Sequence, residues 1–253
     1  MGIIGGKIGY SILKTISPRK HDTSEKFLSN KFHNTKLKEF FGHNIYDLVA
    51  NKTVIDFGCG NGLQAVELAK FCPTANVIGI DIQDKCLEIG NQKALEMNVS
   101  NRCKFMKKTD ELADIILSKD AFEHFSNPLY ILETISSLLK PDGYLLASFG
   151  PTWYHPYGGH LFSIFPWSHL LFTENAQISW RSDFKSDGAT KFSEVQGGLN
   201  QLSISKFEKI VRESPFKFDW IETVPIKGIK IFKYKLLREI GSSIIRCRLS
   251  LKQ

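Results

Sequence analysis

Two acids and three glycines carry the chemistry that this sequence could do. Val54-Ile-Asp-Phe-Gly-Cys-Gly-Asn-Gly62 puts a carboxylate, Asp56, ahead of Gly58, Gly60 and Gly62, with Cys59 inside the loop. A second apolar run, Asn76-Val-Ile-Gly-Ile-Asp81, closes on another acid 19 residues past Gly62, with Ile82 beside it. Glycines allow positive φ and let a ligand lie against bare backbone. A helix N-terminus behind them adds unpaired N–H groups and a partial positive charge. An acid on the neighbouring strand can accept both hydroxyls of a ribose. Asp81 could instead cap the helix after it, although Asp84 is better placed for that. The third glycine stands one place earlier than in the dinucleotide pattern, where Leu63 occupies the position that pattern fills. Asp56 would repel a pyrophosphate and attract a cation. The ligand expected is therefore a positively charged nucleoside; the plain alternative is a tight turn with no ligand.

Strands and helices must hold these residues. Val54 and Ile55 are β-branched and read as the end of a buried parallel strand. Leu63, Ala65, Val66, Leu68 and Ala69 follow at helical spacing. The pattern predicts strands at 53–57, 77–81, 102–106, 113–118, 144–149 and 216–224, and a last strand at 243–251. Helices are predicted at 62–71, 85–97, 129–139 (opened by Pro128) and 203–214, with a short one at 233–239. Pro141-Asp-Gly143 reads as a turn. The expected fold is α/β: a doubly wound, seven-stranded, mostly parallel sheet with an antiparallel last strand and a lid insertion after the fifth strand. Its ligands would sit at the C-terminal ends of the strands. The chain reads as one domain over 1–253, with a helical lead-in over 1–50, a nucleoside-binding core over 51–150, a lid over 151–202 and a C-terminal helix and strand pair over 203–253. Within the lead-in, 1–24 reads as a loose or lightly helical arm and 25–50 as amphipathic helix. The lid holds Trp153, Trp167, Trp180, His155, His160 and His169, suited to a ligand pocket or to simple packing. Its stretch 182–188 is polar and reads as mobile.

Asp56-Phe-Gly-Cys-Gly-Asn-Gly62 resembles the S-adenosyl-L-methionine (AdoMet) loop of the class I, Rossmann-like methyltransferases. The order of later motifs strengthens the likeness. Ser118-Lys-Asp-Ala-Phe-Glu-His124 matches the polar turn after their fourth strand, and Leu138-Leu-Lys-Pro-Asp-Gly143 matches the end of the next helix. The resemblance covers about residues 50–150. It implies AdoMet as cofactor, touched by Asp56, Gly58, Cys59, Gly60, Gly62, Asp81, Ile82 and Ser118. Lys107-Lys-Thr109 stands where such enzymes often carry Gly-Asp-Ala.

Methyl transfer from a sulfonium asks a protein for alignment and the removal of one proton. His124 is the first candidate base, because a histidine titrates near neutrality and the turn lies on the cofactor edge; its other reading is a capping or packing histidine. Asp120 and Glu123 share the turn, and His155 and His160 come from the lid. A metal held by the lid histidines lacks clustered acidic ligands. Where methyltransferases acting on nucleic-acid amino groups carry Asn/Asp-Pro-Pro-Tyr/Phe, this chain reads Ser118-Lys-Asp-Ala121. That points to a small-molecule or glycan acceptor, with oxygen the expected atom. An RNA-modifying methyltransferase is the alternative, and a non-catalytic binding module and a nicotinamide dehydrogenase fit the loop less well.

Composition fits a soluble globule: 253 residues, 42% hydrophobic and 23% charged. Five cysteines form no C-x-x-C pair, and no run approaches membrane-spanning length, so a cytoplasmic enzyme is expected. The net charge of +7 equals the excess after Ile226: Lys227, Lys230, Lys233, Lys235, Arg238, Arg246, Arg248 and Lys252 against Glu239. Such a tail either aids solubility or meets an anionic membrane surface or polyanion; DNA is not an expected partner.

Overall fold

The computed structural model describes residues 2–17, 36–195 and 197–252. In chain order the elements are α1 (Gly6–Ile16), α2 (Leu37–Phe41), α3 (Ile45–Val49), β1 (Thr53–Phe57), α4 (Leu63–Phe71), β2 (Asn76–Ile80), α5 (Asp84–Glu96), β3 (Cys103–Met106) and β4 (Ala113–Lys119). There follow α6 (Pro128–Ser137), β5 (Leu139–Phe149), α7 (Ser168–Leu171), α8 (Glu174–Arg181), α9 (Ile204–Glu213), β6 (Phe216–Pro225), α10 (Arg238–Gly241) and β7 (Ser242–Leu251). The seven strands form one sheet in the order β3-β2-β1-β4-β5-β7-β6. Strands β1 to β5 pair in parallel, while β7 runs antiparallel between β5 and β6.

Alternation along the strands divides the core. Val54, Ile115, Leu117 and Leu146 face α2 to α5, whereas Ile55, Ile116, Leu145 and Phe149 face α6 and α9. Local chemistry sets the helix starts. Asn127 accepts the Tyr130 N–H at 3.2 Å with Pro128 behind it, and Ser203 accepts the Lys206 N–H at 3.2 Å. Each such cap contributes about 1 kcal/mol.

The structure departs from the sequence pattern in several places. α5 begins at Asp84 itself, with Gln83 as its N-cap and no side-chain cap. β5 starts at Leu139 and runs through the expected Pro141-Asp-Gly143 turn. A 3₁₀ turn at Lys230–Lys233 and α10 replace the single helix expected at 233–239. The stretch 182–188 is pinned, because the Arg181 guanidinium holds Asp187 with two bonds of 2.6 Å and Phe184 packs on Trp180. Part of the amphipathic expectation, including Phe27, Leu28 and Phe32, lies outside the described residues; the rest forms α2 and α3.

The first helix belongs to the lid. Leu13 of α1 is buried with Trp153, Phe162, Phe172, Ala176, Ile178, Trp180, Phe192, Val195 and Leu199 in a third cluster, separate from the two sheet cores. Gly9 permits the close packing: a Cβ there would meet Ile4 O at 2.9 Å and Ala176 Cβ at 3.0 Å. Ile4 bridges to Phe172, Tyr10 donates to Asp183, and Trp180 Nε1 donates to Ser17 O.

Candidate functional site

The glycine loop is bound to the end of β2. Gly58 N and Cys59 N both donate to Ile80 O, at 2.8 and 3.0 Å. The Asp81 carboxylate completes the tie, accepting Gly60 N at 2.9 Å on one oxygen and Gln83 N at 2.9 Å on the other. A carboxylate has about four acceptor positions, so each oxygen keeps a second one. Gly58, Gly60 and Gly62 all have positive φ. Above Gly60 a Cβ would meet nothing within 4 Å, so the bare backbone faces open space. Ile82, 85% exposed, stands beside Asp81 and offers an apolar face. These are the parts a nucleoside seat requires.

Asp56 lies beneath the loop. It is 2% exposed and accepts the Ala65 backbone N–H in the first turn of α4, whose N-cap, Gly62, has no side chain to do so. Burial pushes its carboxyl up to about 7, opposed by the Lys119 ammonium. One oxygen, Oδ2, is buried without a hydrogen-bond partner among the described residues. Asp56 therefore supports the loop from below, through the start of α4. The Cys59 side chain is also turned into the core, and burial pushes its thiol up. Ser118 is fully buried at the end of β4, its Oγ without a partner among the described residues.

Phe105 of β3 sets the packing between loop and sheet. A Cβ at Gly62, Gly79 or Gly90 would come within 2.4 to 2.7 Å of its ring, so three glycines make one slot for one ring.

The turn after β4 brings the candidate base to the lid. Asp120 N donates to Ser148 O at 2.7 Å, and its carboxylate pairs with Lys119, whose Nζ lies 4.3 Å from the Phe40 ring centroid. His124 Nδ1 lies 2.9 Å from Gly198 O. A carbonyl only accepts, so Nδ1 carries the proton and Nε2 holds the basic lone pair. The His160 ring is 5.3 Å away, with its Nε2 buried and without a partner among the described residues. Burial first, then the neighbouring histidines, pushes His160 down to about 4, so it is neutral at pH 7. His155 is held otherwise: its Nδ1 accepts the Tyr157 N–H at 3.0 Å, and burial lowers its pKa. His169 donates from Nε2 to Trp153 O at 2.7 Å and meets Ser163 Oγ at 3.1 Å, a structural arrangement. No group of three or more His, Cys, Asp or Glu among the described residues could hold a metal.

Glu123 and Asn200 join turn and lid. Glu123 is 3% exposed, and its Oε1 accepts Gly150 N at 3.2 Å. Burial pushes it up to about 8. Asn200 donates to Phe122 O at 2.6 Å and Phe125 O at 2.8 Å, while its Oδ1 is buried with no partner among the described residues. A cavity of about 280 Å³ opens at this seam, lined in part by His124, Asn200, Lys191 and Lys206. Asn200 and the Gly198 carbonyl carry no motif in sequence. Lys119 was findable, since β4 alternation places it on the Asp56 face. A larger cavity, about 1030 Å³, lies elsewhere: Phe40, Tyr46, Phe71, Trp220 and Arg246 help to line it, and it shares no residue with the loop, the 120–124 turn or the lid.

The basic stretch after Ile226 is only partly a tail. Arg246 and Arg248 lie within β7, where Arg248 pairs with Asp219 and stacks at 3.8 Å on Tyr144. Arg238 pairs with Glu208, and Lys252 donates to Arg212 O and Ser214 O.

Comparison with known proteins agrees with this geometry. Residues 48–152 match a family model described as "Methyltransferase domain". Similar curated proteins include ubiquinone biosynthesis O-methyltransferases from Shewanella pealeana (30% identical over 108 residues, 40% of this chain and 44% of that protein) and Acinetobacter baumannii (33% over 107 residues, with the same shares). The chain thus spans less than half the length of these relatives. Among solved structures, magnesium protoporphyrin IX methyltransferase from Synechocystis PCC 6803, with bound SAH, shares the fold at TM-score 0.56 and 16% identity, covering 97% of this chain and 95% of that one. A SAM-dependent methyltransferase from Aquifex aeolicus does so at TM-score 0.53 and 17% identity, covering 92% and 100%. Built on a sheet of order 3-2-1-4-5-7-6 with an antiparallel last strand, the chain shares the fold of these solved methyltransferases, and its residues 48–152 match the methyltransferase-domain model.

Proposed function

We propose that this chain is an AdoMet-dependent methyltransferase acting on a small-molecule acceptor, with oxygen as the methylated atom. The observation that carries the reading is the loop itself: an open backbone at Gly60 tied to Asp81, with the exposed Ile82 beside it. Asp81 would accept the ribose hydroxyls on its remaining lone pairs, Ile82 would cover one face of the adenine, and the Gly58–Gly62 backbone would pass under the methionine portion. Bound there, AdoMet supplies an electrophilic methyl group on a sulfonium. His124 is the base: with Nδ1–H held by Gly198 O, its Nε2 receives the acceptor's proton as the new carbon–oxygen bond forms. Asp120 holds Lys119 at the strand end, and His155 shapes the lid from the Tyr157 turn. The acceptor would sit at the seam between lid and core, beside His124 and Asn200.

The named activity of the ubiquinone biosynthesis relatives supports an oxygen acceptor, as do solved neighbours such as an O-methyltransferase from neocarzinostatin biosynthesis in complex with SAM and 2-hydroxy-5-methyl naphthoic acid (TM-score 0.55). The RNA reading is weaker, because several of the basic residues it relies on are engaged within the sheet or with α9. Calorimetry with AdoMet tests the proposal. Hydrogen bonds to a charged group contribute about 1.5–3 kcal/mol, so Asp81→Ala should weaken binding by roughly 10–100-fold. Asp81→Asn, which keeps one acceptor, should fall between. Absence of heat at millimolar AdoMet, or equal affinity in Asp81→Ala, refutes it.

A further inference from the structure

Between β6 and β7 the chain leaves the sheet over residues 226–241. β6 ends at Pro225, which pairs with Ser242 at the start of β7, and Ile245 of β7 pairs with Phe149 at the end of β5. The excursion therefore emerges at the sheet edge where the parallel strands end, the edge that carries the glycine loop and the lid.

Its surface is unusual. Leu236 is 94% exposed and Tyr234 71%, with Ile229, Ile231 and Ile240 also exposed. Lys227, Lys230 and Lys235 are exposed among them and make no ion pair among the described residues. The one acid, Glu239, is turned inward and accepts Ile204 N and Ser205 N at the start of α9. The loop is fixed rather than loose: the Phe232 ring lies against Gly241, where a Cβ would meet it at 2.1 Å. Large aliphatic side chains held out to water cost hydration free energy unless something covers them. Aliphatic and aromatic side chains interleaved with unpaired lysines match the boundary between acyl chains and anionic headgroups.

We propose that residues 226–241 dock this protein on an anionic lipid bilayer surface, with Leu236, Tyr234 and Ile231 entering the headgroup boundary and Lys227, Lys230 and Lys235 contacting acidic lipid. The contact rests on the excursion's own residues. Its bearing on catalysis rests on the function proposed above, because the docked edge is the one that holds the acceptor seat. Purely electrostatic binding, as to RNA, uses the lysines and leaves the exposed leucine and isoleucines unexplained.

Flotation of the full chain with vesicles tests this, using phosphatidylcholine alone and phosphatidylcholine mixed with phosphatidylglycerol. Binding is expected to the anionic vesicles and to fall with added salt. Lys227→Gln, Lys230→Gln and Lys235→Gln should each weaken it by roughly fivefold. Tyr234→Ser combined with Leu236→Ser should weaken it by about tenfold or more. Both side chains project into solvent, so these changes leave the fold intact, which a matching Tm verifies. AdoMet affinity of the same variants, measured by calorimetry, should stay at the wild-type value, so failure of docking and failure of the methyltransferase reading are separable. The proposal is overturned if anionic vesicles do not bind, if binding survives Tyr234→Ser with Leu236→Ser, or if single-stranded RNA binds more tightly than vesicles and is lost only in the lysine variants.

Discussion

Replacing Glu123 by glutamine exchanges a carboxyl for an amide of the same shape at a position where the exchange can be read by pH. The side chain is 3% exposed, Oε1 accepts Gly150 N, and Oε2 is buried without a partner among the described residues. Burial raises its pKa from 4.5 to about 8, with backbone N–H groups and Lys119 working against the rise. In that interval the folded chain keeps a proton that the unfolded chain has lost. The carboxyl's contribution to stability is therefore full below pH 4.5 and is lost as pH rises through about 8. At roughly 1.4 kcal/mol per pH unit, the part lost between pH 6 and pH 9 is about 3 kcal/mol. Glutamine has no such loss, and its oxygen still serves Gly150. A chain of this length moves its Tm by about 2–4 °C per kcal/mol, so Glu123→Gln should gain roughly 6–12 °C on the wild type between pH 6 and pH 9. Thermal denaturation followed by circular dichroism at both pH values measures this. Asp56, raised to about 7, titrates in both proteins and cancels in the difference. An equal Tm difference at the two pH values would refute the reasoning, because Glu123 would then be ionised or reached by water and the lid would not seal the turn.

Two further outcomes follow from the same geometry. His124→Ala should lower kcat by about 10²–10⁴-fold and leave AdoMet affinity unchanged; a rate equal to wild type with an identified acceptor removes His124 as base. Gly62→Ala should destabilise the fold by about 2–4 kcal/mol, because φ there is 76° and the new Cβ would meet the Phe105 ring at 2.4 Å. If chemical denaturation finds less than about 0.5 kcal/mol, the Phe105 slot does not require glycine at position 62.

The glycine loop and its tie to Asp81 were legible because they are local. Strand, glycine turn and helix lie consecutively from Thr53 to Phe71, and Asp81 follows at the spacing of one crossover. What Asp56 does was not legible in the same way. Its type suggested contact with a cation, yet the acceptor it provides goes to Ala65, because a helix capped by Gly62 has an amide left over. The lid's partner was missed for a different reason. Gly2, Gly5, Gly6 and Gly9 lower helix propensity and made the first residues read as a loose arm, although Gly9 is what allows α1 to lie against Ala176. Likewise Asn200 is an ordinary residue until the chain returns and sets it against the carbonyls of Phe122 and Phe125.

The third hydrophobic cluster is made from two pieces of chain, α1 and the segment after β5, with β1 to β5 between them in sequence. An eleven-residue helix is marginal on its own in water. During synthesis α1 must therefore wait, its apolar stripe unsheltered, until residues as far as Arg181 have left the ribosome. A fusion partner attached ahead of Gly2 would then press on the cluster around Trp153 and Trp180, while the seven-stranded sheet would scarcely register it.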